Sequence, residues 1–207
     1  MKDLTEHFVA GERVFDGALL KVHRDTVRLP DGSESTREYI RHPGAVAVIA
    51  LFDDGSVLLE RQFRYPHGRE FIEIPAGKLE PGEPQLATAK RELLEETGYV
   101  AAQWARLGVI HTAIAYTDEA IGLFIARKLK KRQAKLDAGE FLETLILPFD
   151  DALAMIRAGR ITDCKTVTGL LWAATTLRRS PGRTRAPGRR PGAPGSRRRR
   201  ASRGARS

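Results

Sequence analysis

Between Gly77 and Tyr99 the chain reads GKLEPGEPQLATAKRELLEETGY, and no other stretch narrows the possible folds as far. A glycine and a Pro81-Gly82 turn precede a run of good helix formers. Gly98 follows that run, so the segment is predicted to be a loop, then a helix, then a stop. On the predicted helix Leu86, Ala89, Leu93 and Thr97 recur on one face, which is expected to be the buried one. Glu92, Glu95 and Glu96 stand at i, i+3 and i+4 and project to one side. Like charges at that spacing repel by a few tenths of a kcal/mol per pair. Either a bound cation offsets the repulsion, or the acids pair with Lys90 and Arg91 on an ordinary solvated face.

For a generic helix of this charge pattern the solvated face is the commoner outcome, yet the residue types would also serve a cation. Carboxylate oxygens on a rigid helix, too few for a full cage, suit Mg²⁺ or Mn²⁺, which leave further positions to water and substrate phosphate. Arg91 adjoins the acids and can fix a carboxylate by a bidentate contact. Gly77 lets the backbone approach a ligand closely and exposes the Ala76 carbonyl, a further hard oxygen. Glu83 is expected in the first helical turn, where the macrodipole favours an acid.

Around this segment the chain divides into three parts. Residues 1–42 carry strand patterns broken by Asp16-Gly17 and Asp31-Gly32, and the second of these separates DTVRL from TREYI as a hairpin turn would. The segment is predicted to be a small antiparallel sheet. Its apolar content is too low for a core of its own, so it must pack on another surface. Residues 43–177 alternate strands and helices. GAVAVIALF reads as a buried strand and SVLLERQFRY as a second, and EFIEIP, WARLGVIHT and AIGLFIARKL follow as further strands. LPFDDALAMIRAGR and a segment starting near Asp163 read as helices. The fold class is α/β, a mixed sheet between helices. Residues 178–207 hold twelve arginines and no acid, so the net charge of +9 becomes 9 − 12 = −3 for the first 177 residues. That basic stretch, rich in Pro and Gly, is read as disordered. A single cysteine, Cys164, excludes an internal disulfide and a multi-cysteine zinc site. No apolar h-region and no run of about 18 apolar residues is present, so a cytoplasmic protein without a membrane span is expected.

The spacing of the quoted stretch resembles the signature of the Nudix hydrolase family. Gly77, Glu83, Arg91, Glu92, Leu93, Glu95, Glu96 and Gly98 fill it, and Tyr99 stands where an aliphatic residue is more usual. At very roughly one in fifteen per residue type, seven fixed identities recur by chance at about 10⁻⁸ per start position. The resemblance implies a Nudix-type mixed sheet sandwiched between helices, and hydrolysis of a nucleoside diphosphate linked to another group. It also implies Mg²⁺, with Mn²⁺ as the alternative. Glu92 and Glu96 match the family's metal-ligand positions, with Ala76 beside them and Glu95 a further contact in some members.

Outside the signature the chain resembles the ADP-ribose pyrophosphatase branch. It does so in the N-terminal segment, in RQFRYPHGREFIEIPAGKLEPGE and in YTDEAIGLFIA, over roughly residues 10–176. The resemblance implies a nucleotide-sugar substrate, most simply ADP-ribose, and a homodimer formed through residues 1–42. GDP-mannose or another nucleotide sugar is the nearest alternative. A nucleic-acid-binding Nudix protein using its basic tail is a rival of another class, and weak non-specific contact of that tail with nucleic acid is expected. Ile114 stands where the strictest ADP-ribose members carry proline. Arg61 and Arg64 are both taken as candidate substrate-binding residues; three apart on a strand, they face opposite sides, so at most one reaches the same pocket, directly or across a dimer interface. Glu73 alternates away from Ile72 and Ile74 and either accepts hydrogen bonds from substrate or faces solvent; we take it, with Gly77 and Glu119, as substrate-binding. The general base is expected in KKRQAKLDAGEFLE, with Glu140 the best match and Glu95 or Glu143 next; Glu140 is also counted among the metal contacts and Arg91 among the catalytic residues. His111 and Cys164 are assigned structural roles.

Overall fold

A computed structural model describes residues 2–134 and 141–178. Glu140 and the basic stretch from residue 179 onward lie outside the described residues.

Two sheets are present. Strands β1 (His7–Asp16), β2 (Lys21–Arg28) and β3 (Glu34–Arg41) form an antiparallel sheet in the order β1-β2-β3. The Asp31-Gly32 turn joins β2 to β3 as expected, with Gly32 at φ 87° and its N–H donating to the Leu29 carbonyl. The second sheet is built on β4 (Ala45–Leu51), β5 (Ser56–Arg64), β8 (Tyr99–His111), β9 (Ala120–Lys131) and β10 (Leu142–Pro148), in the order β10-β5-β4-β9-β8. Short strands β6 (Arg69–Glu73) and β7 (Ala76–Lys78) pair with β5 and β4. A 3₁₀ turn, Tyr65–His67, links β5 to β6. The sheet is mixed because β4 runs parallel to β9 and antiparallel to β5 and β7.

Helix α1 (Gln85–Thr97) covers one face, and α2 (Phe149–Arg157) with α3 (Cys164–Arg178) covers the other. Strand β4 shows why GAVAVIALF is apolar without a break. Ala45, Ala47, Ile49 and Leu51 pack toward α2 and α3, while Val46, Val48 and Ala50 pack toward α1. A strand buried on both faces has no position to spare for polar side chains.

Three expectations need correction. Strand β10 is not among the expected strands, and its last two residues fall in the segment read as a helix, yet it pairs antiparallel with β5 from Leu142↔Gln62 to Pro148↔Ser56. Leu145 and Leu147 pack on the core while Ile146 is half exposed, a short alternation at the sheet edge that runs straight into α2. Leu86 is exposed, and the buried face of α1 is instead made by Thr88, Ala89, Leu93, Glu96 and Thr97. Leu86 stands at an open depression beside Trp104, Arg106 and Phe124 of β8 and β9 rather than in the core, so helical spacing alone overstates the apolar stripe. Glu83 lies before the helix, whose N-cap is Pro84, and its carboxylate is held by Arg91 rather than by the macrodipole. The stop at Gly98 is as expected: φ is 68°, and its N–H donates to the Leu94 carbonyl. A side chain there would meet the backbone of Arg132 and Ala134 at 3.0 Å or less.

Candidate active site

The loop β7–α1 and the helix after it bring three acids around one guanidinium. Arg91 Nε and Nη2 donate to Glu83 at 3.2 and 3.0 Å, and Nη1 donates to Glu92 at 2.9 Å and to Glu95 at 3.0 Å. Nη2 also reaches the Lys78 carbonyl at 3.3 Å. The hydrogen bond from Arg91 holds the Glu83 carboxyl down at about 2, and the Glu83 contact in turn raises Arg91. Glu96 is buried on the same helix, and its Oε2 accepts from the Ala76 N–H at 3.1 Å.

Glu92 and Glu96, with Ala76 and Gly77, form one wall of a cleft of about 720 Å³. Glycine is required at position 77 by close approach, since a Cβ there would fall 1.9 Å from the Glu92 carboxylate. Among the described residues no three His, Cys, Asp or Glu side chains converge into a ready-made metal cage. The set present is two carboxylates one helical turn apart against an open cleft. That fits Mg²⁺, which is held by one or two carboxylates plus substrate phosphate and water, better than it fits a closed structural site.

The facing wall is cationic. Arg64, at the end of β5, and Lys165, in the first turn of α3, both line the cleft. Both are held by Glu73 of β6. Arg64 donates from Nε and Nη2 at 2.7 and 2.8 Å, and Lys165 Nζ donates to Glu73 and, at 3.0 Å, to Asp163. Burial pushes the Glu73 carboxyl up, but the Arg64 hydrogen bond and the Lys165 charge outweigh it and the net shift is down. Asp163 also caps α3, accepting from the Thr166 N–H and hydroxyl at 3.0 and 2.6 Å. At the other end of the cleft stand His42, Thr112 and Glu119, and the Thr112 hydroxyl donates to Glu119 at 2.6 Å.

The structure therefore brings Arg64, Ala76, Gly77, Glu92, Glu96 and Glu119 of the expected site into one cleft. Arg91 and Glu95 do not line it, though Arg91 bonds both Glu95 and the lining Glu92. Arg61 points elsewhere, to Glu70 at 3.1 Å and to Glu143, so of the two arginines only Arg64 lines the cleft. Glu143, the reserve candidate for the base, is committed to Arg61. Glu73 neither faces solvent nor lines the cleft; it lies beneath Arg64 and Lys165. Glu140 falls outside the described residues. Cys164 is exposed on the cleft wall at the start of α3, rather than buried in a structural role, and His111 is exposed at the end of β8. His42, Thr112 and Lys165 were not foreseen. They are distant in sequence from the signature, and only the parallel β4–β9 pairing and the docking of α3 bring them to it.

Comparison with known proteins agrees with this geometry. Residues 41–163 match the NUDIX domain, and residues 9–40 match the nucleoside diphosphate sugar hydrolase N-terminal domain. The chain is 41% identical over 168 residues to an ADP-ribose pyrophosphatase of Bacillus subtilis (strain 168), covering 80% of this chain and 91% of the relative. It is 44% identical over 164 residues to a methanol dehydrogenase activator of Bacillus methanolicus, covering 78% and 89%. It is 37% identical over 138 residues to a GDP-mannose pyrophosphatase of Shigella flexneri, covering 62% and 72%. Among solved structures it resembles an ADP compounds hydrolase with a TM-score of 0.77 at 21% identity, over 86% of this chain and 97% of that one, a likeness of fold. The chain belongs to the Nudix family and is a Nudix hydrolase.

Proposed function

We propose that the protein hydrolyses the pyrophosphate bond of a nucleoside diphosphate sugar, with ADP-ribose as substrate and AMP and ribose 5-phosphate as products. One observation carries this reading: the Glu92/Glu96 pair and the Arg64/Lys165 pair line the same cleft. A diphosphate needs cationic partners on the protein side, and carboxylates are useful beside it only if a cation lies between them. The ADP-ribose pyrophosphatase of Bacillus subtilis supports the choice of sugar.

Glu92 and Glu96, with Ala76, would hold Mg²⁺, Arg91 keeping Glu92 turned to its place. When bound, a divalent ion supplies Lewis-acid polarisation of a phosphoryl oxygen and lowers the pKa of a bound water. The chain's own residues do the rest. Arg64 and Lys165 meet the non-bridging phosphate oxygens. Glu119 accepts hydrogen bonds from sugar hydroxyls. Glu140 takes the proton of the attacking water. Glu95, the other candidate base, is occupied by Arg91.

Product analysis tests the reading. ADP-ribose, GDP-mannose, UDP-glucose and capped RNA are each incubated with Mg²⁺, with Mn²⁺ and with EDTA. The expected result is AMP and ribose 5-phosphate at a kcat/KM at least about tenfold above the other substrates, abolished by EDTA. A preference for GDP-mannose would move the assignment to the second nucleotide sugar, and no turnover of any nucleotide sugar would sink it.

The N-terminal sheet is proposed as a dimer contact. All ten residues of β1 are exposed, Phe8, Val9, Val14 and Phe15 among them. Exposed aromatic and aliphatic side chains on a strand this long are uncommon in a monomer. Light scattering at micromolar concentration is expected to give twice the chain mass, and a monomer would rule the contact out. The basic stretch from residue 178 is proposed to contact nucleic acid weakly and without sequence preference. Its removal is expected to abolish salt-sensitive RNA binding and leave ADP-ribose kinetics unchanged.

A further inference from the structure

The loop between β8 and β9 carries two adjacent acids, Asp118 and Glu119, and both are met by the end of β3 and the first residue after it, His42. Arg41 Nη1 donates to Asp118 Oδ2 at 2.9 Å, and the His42 N–H donates to Asp118 Oδ1 at 2.8 Å. The Ile40 N–H donates to the Tyr116 carbonyl and the Asp118 N–H to the Ile40 carbonyl, at 2.9 and 3.3 Å. Asp118 is thereby used up by the connector. Glu119 points the other way, into the cleft, where its Oε2 accepts from Thr112 and its Oε1 lies 3.6 Å from His42 Nε2.

The two ring nitrogens of His42 have different partners. Nδ1 accepts a hydrogen bond from the Gly44 backbone N–H at 3.1 Å. A backbone amide can only donate, so Nδ1 carries no proton, and in the neutral ring the proton is on Nε2, the nitrogen that faces Glu119. A backbone group thus dictates the tautomer, and the tautomer dictates that His42 presents a donor to the carboxylate. With Thr112 donating to one oxygen and His42 beside the other, the Glu119 carboxylate has a partner on each side while the residue lines the cleft. His42 and Glu119 are both largely shielded from water, which keeps competing donors away.

We propose that His42 is a positioning residue that orients Glu119 for the hydroxyl groups of the substrate's sugar. It touches neither the phosphates nor the metal carboxylates and acts through Glu119. The inference rests on the cleft's being a nucleotide-sugar site. It predicts that loss of His42 weakens substrate binding more than the rate of the bound complex, and that this loss vanishes when Glu119 can no longer act as a carboxylate.

The test uses the full chain with Mg²⁺ and ADP-ribose and four variants: His42→Phe, His42→Gln, Glu119→Gln and His42→Phe with Glu119→Gln. Phenylalanine keeps the ring and removes both nitrogens, and glutamine returns an N–H near the Nε2 position. His42→Phe is expected to raise KM about tenfold with kcat within about threefold of wild type. His42→Gln should recover most of that. The double variant should be within about twofold of Glu119→Gln alone, because a residue acting through Glu119 has nothing further to lose. Multiplying effects in the double variant, or an unchanged KM in His42→Phe, overturns the proposal. Should His42→Phe fail to fold, His42→Asn, which keeps an acceptor for the Gly44 N–H but withdraws the donor from Glu119, takes its place alone and with Glu119→Gln; a KM rise in the single variant that disappears in the double is expected, and an unchanged KM in the single variant or multiplying effects in the double overturn the proposal. A wild type that turns over no nucleotide sugar refutes the functional reading and the inference with it, whereas an active wild type with independent effects refutes the inference alone.

Discussion

Two charge clusters flank the cleft, and they are built in opposite senses. Around α1 one cation, Arg91, is shared by three carboxylates, Glu83, Glu92 and Glu95. Beneath the facing wall one carboxylate, Glu73, is shared by two cations, Arg64 and Lys165. The first cluster carries a net charge of 1 − 3 = −2, whereas the second, with Asp163 on Lys165, holds two cations and two carboxylates and is neutral. The first therefore leaves an excess of negative charge beside the cleft, which favours a cation there. The second holds two cationic side chains in fixed places at no net charge. The Arg91 cluster is anchored on one helix and the loop before it, whereas the Glu73 cluster joins β5, β6 and α3. A disturbance of the first should therefore be local, and a disturbance of the second should shift the cleft wall.

Removing charge from the acidic side is expected to have the largest effect. Glu96→Gln keeps the shape and an acceptor for the Ala76 N–H, so the fold should persist. We expect kcat to fall by about 10²-fold or more, since a metal ligand is lost; near wild-type turnover at saturating Mg²⁺ would remove Glu96 from the metal site. On the opposite side Glu73→Gln should release Arg64 and Lys165 from their shared anchor. The expected result is a KM about tenfold higher with a smaller change in kcat, because the cations remain but no longer sit in register. A loss of kcat alone would mean that the two clusters do not divide their labour between metal and phosphate.

Smaller again is Arg91→Lys. Lysine keeps the charge but cannot span three carboxylates, so we expect about 1–3 kcal/mol of stability to be lost in urea unfolding without metal. Mg²⁺ should restore part of it by supplying the missing positive charge. No recovery with Mg²⁺ would show that the acids of α1 do not bind the ion. The smallest effect concerns acid. The folded Glu83 carboxyl is depressed from its ordinary 4.5 to about 2, so its contribution is complete above about pH 4.5 and drains away as pH falls toward 2. Glu83→Gln should flatten the pH dependence of unfolding in that window; an unchanged slope would mean that the Arg91 contact does not persist in solution.

The same contrast separates what the sequence disclosed from what it hid. The α1 cluster was legible because its members lie within fourteen residues and helical geometry alone decides that Glu92 and Glu96 share a side. The Glu73 cluster was half legible. Strand alternation placed Glu73 opposite Ile72 and Ile74, but its partner Lys165 is 92 residues away and arrives only when α3 docks. His42 was invisible for the same reason, since 77 residues separate it from Glu119. The buried strand β4 announced itself by an unbroken apolar run. Strand β10 did not, because an edge strand carries half the pattern and this one has only seven residues before α2 begins.

The connector at residues 40–42 also has a mechanical meaning. The Ile40 bonds to residues 116 and 118, with the Arg41 and His42 contacts to Asp118, form a short clasp between the N-terminal sheet and the loop that carries Glu119. A load borne by that sheet is therefore shared between the clasp and the covalent chain that enters β4 at Ala45. The Glu119 carboxylate is the next residue along from Asp118. Tension at the amino-terminal end of the molecule thus has a second route, beside the chain itself, to the Glu119 end of the cleft.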